Sequence, residues 1–130
     1  MILLYAAEKN RVVESLEQVV TETLTGHPLV QCRSLSVLEQ RLRRPCHDVD
    51  VLLISVGDAI EMRQLIAMRA LLLDTRLVLV LPEPDPDIIV WAHKLSPRFI
   101  AYADTGCEQV GAVLDKMLNA GKIIRFPVFQ

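Results

Sequence analysis

The most constraining stretch of this chain is Asp48–Asp58, DVDVLLISVGD. Val51, Leu52, Leu53 and Ile54 form a short unbroken apolar run with polar residues on both sides. A half-buried strand alternates apolar and polar residues, and an amphipathic helix repeats over a longer window. A short continuous run therefore reads as a strand covered on both faces. That requires a parallel sheet with helices above and below it. Directly after the strand, Asp58 is placed to accept from a free backbone N–H of a following helix, with Glu61 three residues on. The strand thus feeds straight into a helix. In sheets of this kind ligands gather at the carboxyl ends of the strands, which puts Ser55, Gly57 and Asp58 on the functional rim.

The rest of the chain repeats the alternation. Ile2–Ala6 reads as a strand, followed by a helix over 11–24 capped by Asn10 and ended by Gly26. Leu29–Arg33 is a weaker strand, and Ser36 with Glu39 reads as the capping box of a short helix that Pro45 stops. After the central strand, an unusually apolar third helix is expected over 59–73, then a strand over 76–81. Asp85 and Pro86 are suited to open a fourth helix, running to about Leu95. Phe99–Ala103 is a short outer strand behind Pro97, and Thr105 with Glu108 caps a fifth helix ending near Gly121. Five strands each followed by a helix predict a three-layer α/β/α (βα)5 domain with right-handed crossovers and the flavodoxin-like order 2-1-3-4-5. The expected organisation is one domain over 1–121 and a leftover, β-prone tail over 122–130.

Composition excludes several function classes. At 130 residues, 52% hydrophobic, the chain has the material for one double-sided core. A net charge of −2 gives no broad field for nucleic acid or acidic lipid. No apolar run approaches the roughly 18 residues of a membrane span. The opening MILLYAAEKN lacks a basic leader, and three cysteines without regular spacing suit a reducing compartment, so a cytoplasmic location is expected.

Two segments carry a family resemblance. ILLYAAEKN resembles the ILIVDDE opening of the receiver domains of bacterial response regulators, and DVLLIS resembles their D-L-V-L-L-D. The likeness spans roughly residues 1–120. It implies a signalling domain that is not an enzyme, holds no cofactor and works through a protein partner. It also implies where the phosphorylation residues should stand, and there this chain departs. The two metal-binding acids fall at Ala6 and Ala7, the phosphate-accepting aspartate at Ser55, the hydroxyl residue at Leu81 or Pro82, and the lysine at Tyr102. Phe99 keeps the switch aromatic, and Glu8 matches the acid beside the metal ligands. Phosphoryl transfer needs a metal held on carboxylates and a cation to neutralise the transferred group. Two alanines and a tyrosine supply neither. The expected function is a phosphorylation-independent pseudo-receiver, an interaction module in bacterial signal transduction; the alternative is a flavodoxin-like small-molecule or nucleotide-binding protein.

Other sites are weighed and set aside. Ser55 as a nucleophile lacks a histidine on its rim and a G-x-S-x-G elbow. Glu8, Asp58 and Asp104 could ring a divalent cation, but Asp58 is better used as a cap. The loop 7–10 has no glycine for close approach to a phosphate, which counts against flavin. Cys46 and His47 are adjacent, which is not ligand spacing. Arg33, Arg41, Arg43 and Arg44 make a basic cluster without interleaved aromatics, read as a solvated helix face. Cys107, in the first turn of the fifth helix, is expected to have a lowered pKa and enhanced reactivity. The resemblance places dimerisation and output on the face of the fourth helix, fifth strand and fifth helix. On that face Ile89, Val90, His93, Lys94 and Phe99 are the candidate partner residues, with a homodimer or a partner-bound form expected there; the alternative is that the tail folds back on its own domain and covers the surplus apolar surface.

Overall fold

The computed structural model describes residues 1–24, 26–44, 49–82, 85–103 and 107–125, with side chains described as far as 118. The strands are β1 (Ile2–Ala6), β2 (Leu29–Cys32), β3 (Val51–Ser55), β4 (Leu77–Leu81) and β5 (Phe99–Tyr102). The helices are α1 (Arg11–Thr23), α2 (Leu35–Arg43), α3 (Ala59–Ala67), α4 (Arg69–Leu72), α5 (Pro86–His93) and α6 (Cys107–Arg125). All strand pairs are parallel, in the order β2-β1-β3-β4-β5. That is the order expected from the sequence.

Burial follows from the two-sided sheet. Every residue of β1 and β4 is buried, as are the first four of β3. Alternate strand residues feed two cores. Leu3, Tyr5, Leu52, Ile54, Leu79 and Leu81 face Leu38, Met62, Leu65, Leu72, Ile88 and Ala92 of α2 to α5. Ile2, Leu4, Leu53, Val78 and Val80 face Val13, Leu16, Val20, Val110 and Leu114 of α1 and α6.

Three helix starts have the expected chemistry. Asn10 Oδ1 accepts from Val13 N–H at 3.0 Å, Asp58 Oδ1 from Glu61 N–H at 2.8 Å, and Asp85 Oδ1 from Asp87 N–H at 2.9 Å with Pro86 in the first turn. The capping box expected at Ser36 is displaced by one alternative cap. Ser34 is the N-cap, its hydroxyl accepting from Val37 N–H at 3.2 Å, because two serines two residues apart offer the same chemistry.

Elsewhere the boundaries differ. The single third helix expected over 59–73 is two, broken at Met68, whose N–H bonds back to Leu65 O at 3.1 Å. No proline or glycine marks that break in 59–72. Thr23 is the last residue of α1, and no described glycine has positive φ, so Gly26 is not a left-handed cap. The fourth sequence helix, here α5, stops at His93, and Ser96 at φ 52° reverses the chain before Pro97. The fifth sequence helix, here α6, does not stop near Gly121: its backbone is helical to Arg125, taking in Ile123 and Ile124 from the segment expected to be β-prone. Pro45, Thr105, Cys46, His47, Asp104 and the last five residues, expected to hold a helix stop, a cap, site residues and the tail, lie outside the described residues.

Candidate functional site

The register brings the carboxyl ends of the strands level. Ala6 stands opposite Ser55, Ser55 opposite Val80, and Leu81 opposite Tyr102. Above this rim lies an open cleft of about 430 Å³. Its floor and walls come from Ala6, Ala7, Ser55, Val56, Pro82 and Ala103, with Glu8, Asn10, Asp58 and Glu61 around them. Four of the five positions singled out in the sequence, Ala6, Ala7, Ser55 and Pro82, therefore meet in one place. Tyr102 does not. Its half-buried ring packs on the core under α3 and α5, and Ala103, the next residue, lines the cleft in its stead. Side chains of a strand alternate faces, so a position one residue from the rim is turned away.

The carboxylates near the cleft are in structural use. Asp58 caps α3. Glu61 is 9% exposed and reaches back to accept from Gly57 N–H at 2.8 Å with one oxygen. The other accepts from the Tyr5 hydroxyl at 3.1 Å. Tyr5 is 1% exposed, the residue before Ala6 on β1. Burial, then the charge of Glu61, then that hydrogen bond push the Tyr5 hydroxyl well above the ordinary tyrosine range. The sequence flags Glu61 as a capping-box residue, but not its bond to Tyr5. The two are 56 residues apart, and only the β1–β3 pairing brings them together.

Among the described residues lining the cleft there is no lysine or arginine, while Glu8, Asp58 and Glu61 are there. Among the described residues no group of three or more His, Cys, Asp and Glu side chains is placed to hold a metal ion. A phosphoryl group on Ser55 would stand in a cleft whose described lining carries three carboxylates and neither lysine nor arginine. Like charges lining one cleft disfavour a further negative group there.

The remaining candidates are spread over the surface. Val90 is 57% exposed, and His93 at the end of α5 and Lys94 just after it are exposed too. Ile89 and Phe99 are half-buried, Ile89 on the α2–α5 core and Phe99 on the α1–α6 core. Only part of the expected partner face is thus accessible. Cys107 packs against the α1–α6 core, and burial pushes its thiol pKa up, opposite to the lowering expected at a helix start. Cys32 is buried, and its thiol is raised by the same cause, with Arg41 acting weakly against it. No described helix is long and apolar enough to cross a membrane.

No family model matches the sequence, and no curated protein matches it significantly. Solved structures do match. A protein named for a relation to pilus assembly, from Burkholderia pseudomallei, superposes with a TM-score of 0.67 at 15% identity, over 89% of this chain and 87% of its own. A CheY-like protein, tadZ, from Pseudomonas aeruginosa has a TM-score of 0.61 at 14% identity, over 90% and 98%. The chain has the receiver fold. A signal receiver domain of an HD domain-containing protein from Pseudomonas fluorescens agrees, with a TM-score of 0.60 at 16% identity over 93% and 95%. Within the receiver fold, the cleft lies at the carboxyl rim, where the sequence resemblance places the phosphorylation residues.

Proposed function

We propose that this chain is a phosphorylation-independent receiver that works as a protein-interaction module in bacterial signal transduction, without enzymatic activity. One observation carries the reading. Where the resemblance places the acceptor and the metal ligands, the rim cleft has Ser55 and two alanines, and its described lining holds acidic groups and neither lysine nor arginine. Such a rim opposes an added phosphoryl group instead of holding it. The fold then contributes a rigid surface. On this reading a partner, or a second copy, docks on the α5–β5–α6 face, where Val90, His93 and Lys94 are accessible. The likeness to the pilus-related protein makes pilus-assembly components the first partners to test by co-precipitation.

Incubation with acetyl phosphate and Mg²⁺, read by intact mass, tests the central claim. The expected result is no added phosphoryl group. A stoichiometric gain would refute it. Sedimentation of the wild type and of Val90→Glu tests the face separately: association that is unchanged by the charge leaves this face without a role in it.

A further inference from the structure

The rim cleft has features that a domain without phosphoryl transfer leaves unused. Its volume, about 430 Å³, is in the range of small-molecule sites. Small residues keep it open, with Ala6, Ala7, Gly57 and Ala103 among its lining. Ala6 and Val56 are buried and give it an apolar floor, which Val12 and Pro82 extend. The Ser55 hydroxyl, half-buried at that floor, makes no hydrogen bond among the described residues.

Around this apolar floor the charge is of one sign. Glu8, Asp58 and Glu61 line the cleft, and among the described residues none of them has an ion pair. The bonds of Asp58 and Glu61 come from backbone N–H groups and the Tyr5 hydroxyl, neutral donors that leave both charges in place. The five loops of this rim, residues 7–10, 33–34, 56–58, 82–85 and 103–106, hold five acids and two bases, Lys9 and Arg33, in a chain whose net charge is −2. Lys9 is exposed and does not line the cleft, and Arg33 donates to Gln31 Oε1 at 3.2 Å beside the outer strand β2. A concave wall of low dielectric focuses a field of one sign on whatever it holds.

We propose that the cleft binds an organic cation: an ammonium or guanidinium group on a short apolar stem, carried by a small molecule or by a lysine or arginine of a partner protein. The cationic end meets Glu8 and Asp58 and donates to the Ser55 hydroxyl, and the stem lies on Ala6, Val56 and Pro82. A bare metal ion suits the cleft less. It needs several oxygens converging at about 2.0–2.6 Å, and among the described residues no group of three or more His, Cys, Asp and Glu is placed to supply them. Phosphate-bearing ligands, flavins and nucleotides among them, bring the wrong sign. The site rests on the phosphorylation-independent reading of the same rim. The two are read separately, cation binding with no phosphoryl donor present and phosphorylation by intact mass.

The test follows backbone amide resonances of the full chain by NMR during titration with butylguanidine, a blocked Gly-Arg-Gly tripeptide, neutral pentanamide and anionic pentanoate. The expected result is saturable shifts at Ala7, Ser55, Gly57 and Ala103 with a guanidinium ligand, none with pentanoate, and binding of pentanamide about tenfold weaker. Tighter binding of butylguanidine assigns a small molecule, and tighter binding of the tripeptide assigns a partner's side chain. Combined Glu8→Gln and Asp58→Asn, which keeps a cap acceptor on α3, should weaken binding about fivefold. Ala7→Leu, at an exposed position of the lining, should remove it by filling the cleft. Unchanged amide shifts away from the rim are the proof of folding for both variants. Equal binding of pentanamide, an affinity unchanged by the charge variant, displacement by an equal concentration of Mg²⁺, or no binding of either guanidinium ligand would each overturn the proposal.

Discussion

The Tyr5–Glu61 pair gives the sharpest test of how the rim is held. Replacing Glu61 by alanine removes two acceptors at once. The Tyr5 hydroxyl, on a residue 1% exposed, loses its partner where water does not reach. An orphaned buried donor costs about 1–3 kcal/mol. Gly57 N–H also loses its partner, but Gly57 is exposed, so water substitutes and the loss is about 0.5–1 kcal/mol. Loss of a carboxylate from the first turn of α3 adds about 0.3–1 kcal/mol, and alanine's helix propensity returns a few tenths. The total is about 1.5–4.5 kcal/mol. Tyr5→Phe removes the hydroxyl and leaves one carboxylate oxygen of Glu61 unpaired, costing about 1–2 kcal/mol. In the double variant no orphan remains between the two, so the losses should fall short of additivity by about 1–2 kcal/mol. Glu61→Gln keeps an acceptor for Gly57 and a partner for Tyr5, and should recover more than half. Urea unfolding at constant slope measures all four stabilities. Additivity within about 0.3 kcal/mol would show that Tyr5 and Glu61 are independent, and the account of the rim would fail.

The pH dependence of stability follows from the same pair. Tyr5 is raised above the ordinary tyrosine value of 10.0, so the folded state keeps a proton that the unfolded chain gives up. Its contribution is whole below about pH 10 and is lost above it, with a slope approaching about 1.4 kcal/mol per pH unit. Denaturant midpoints taken upward from pH 9 should fall faster for wild type than for Tyr5→Phe; parallel curves would contradict the assignment. At the α1–α6 contact, a Cβ on Gly111 would meet Val19 Cγ1 at 2.5 Å, and valine's stiff χ1 limits its retreat. Gly111→Ala should cost about 1–2 kcal/mol in spite of a helix-propensity gain near 1 kcal/mol, with partial rescue by Val19→Ala. A higher denaturation midpoint for the single variant would disprove the close approach. Finally, the Gly57 amide, bonded to Glu61, should exchange more slowly in wild type than in Glu61→Ala, and Mg²⁺ with acetyl phosphate should leave its rate unchanged.

The architecture was legible because each signal was local or periodic. VLLIS and LVLVL are continuous apolar runs, and two-sided burial allows little else. Asn10, Asp58 and Asp85 act within three residues of themselves, so their caps were readable. What the chain hid is tertiary. Tyr5 looks like any apolar strand residue until β3 is laid beside β1. Tyr102 sits one residue from the rim, and the pleat decides which way it turns. The break at Met68 carries no proline or glycine. Ser34 and Ser36 present equal capping chemistry, and only the fit of Leu38 and Leu42 against the sheet selects the first.

On the proposed reading, the same residues connect the absence of an acidic cluster to the way the rim is held. A cluster of carboxylates at one strand end is costly unless a cation neutralises it. On that reading, alanine at 6 and 7 avoids that cost, and Ser55 avoids a third charge. The acids that remain do different jobs: Asp58 ends the strand-to-helix turn, and Glu61 ties that turn to β1 through Tyr5. The loop after β3 is thereby bonded at both ends to groups that need no ligand. A switch requires two arrangements of similar free energy and an input that binds them unequally. A rim fixed by its own hydrogen bonds favours one arrangement. On the proposed reading, then, the signal this domain carries lies in whether its surfaces are occupied.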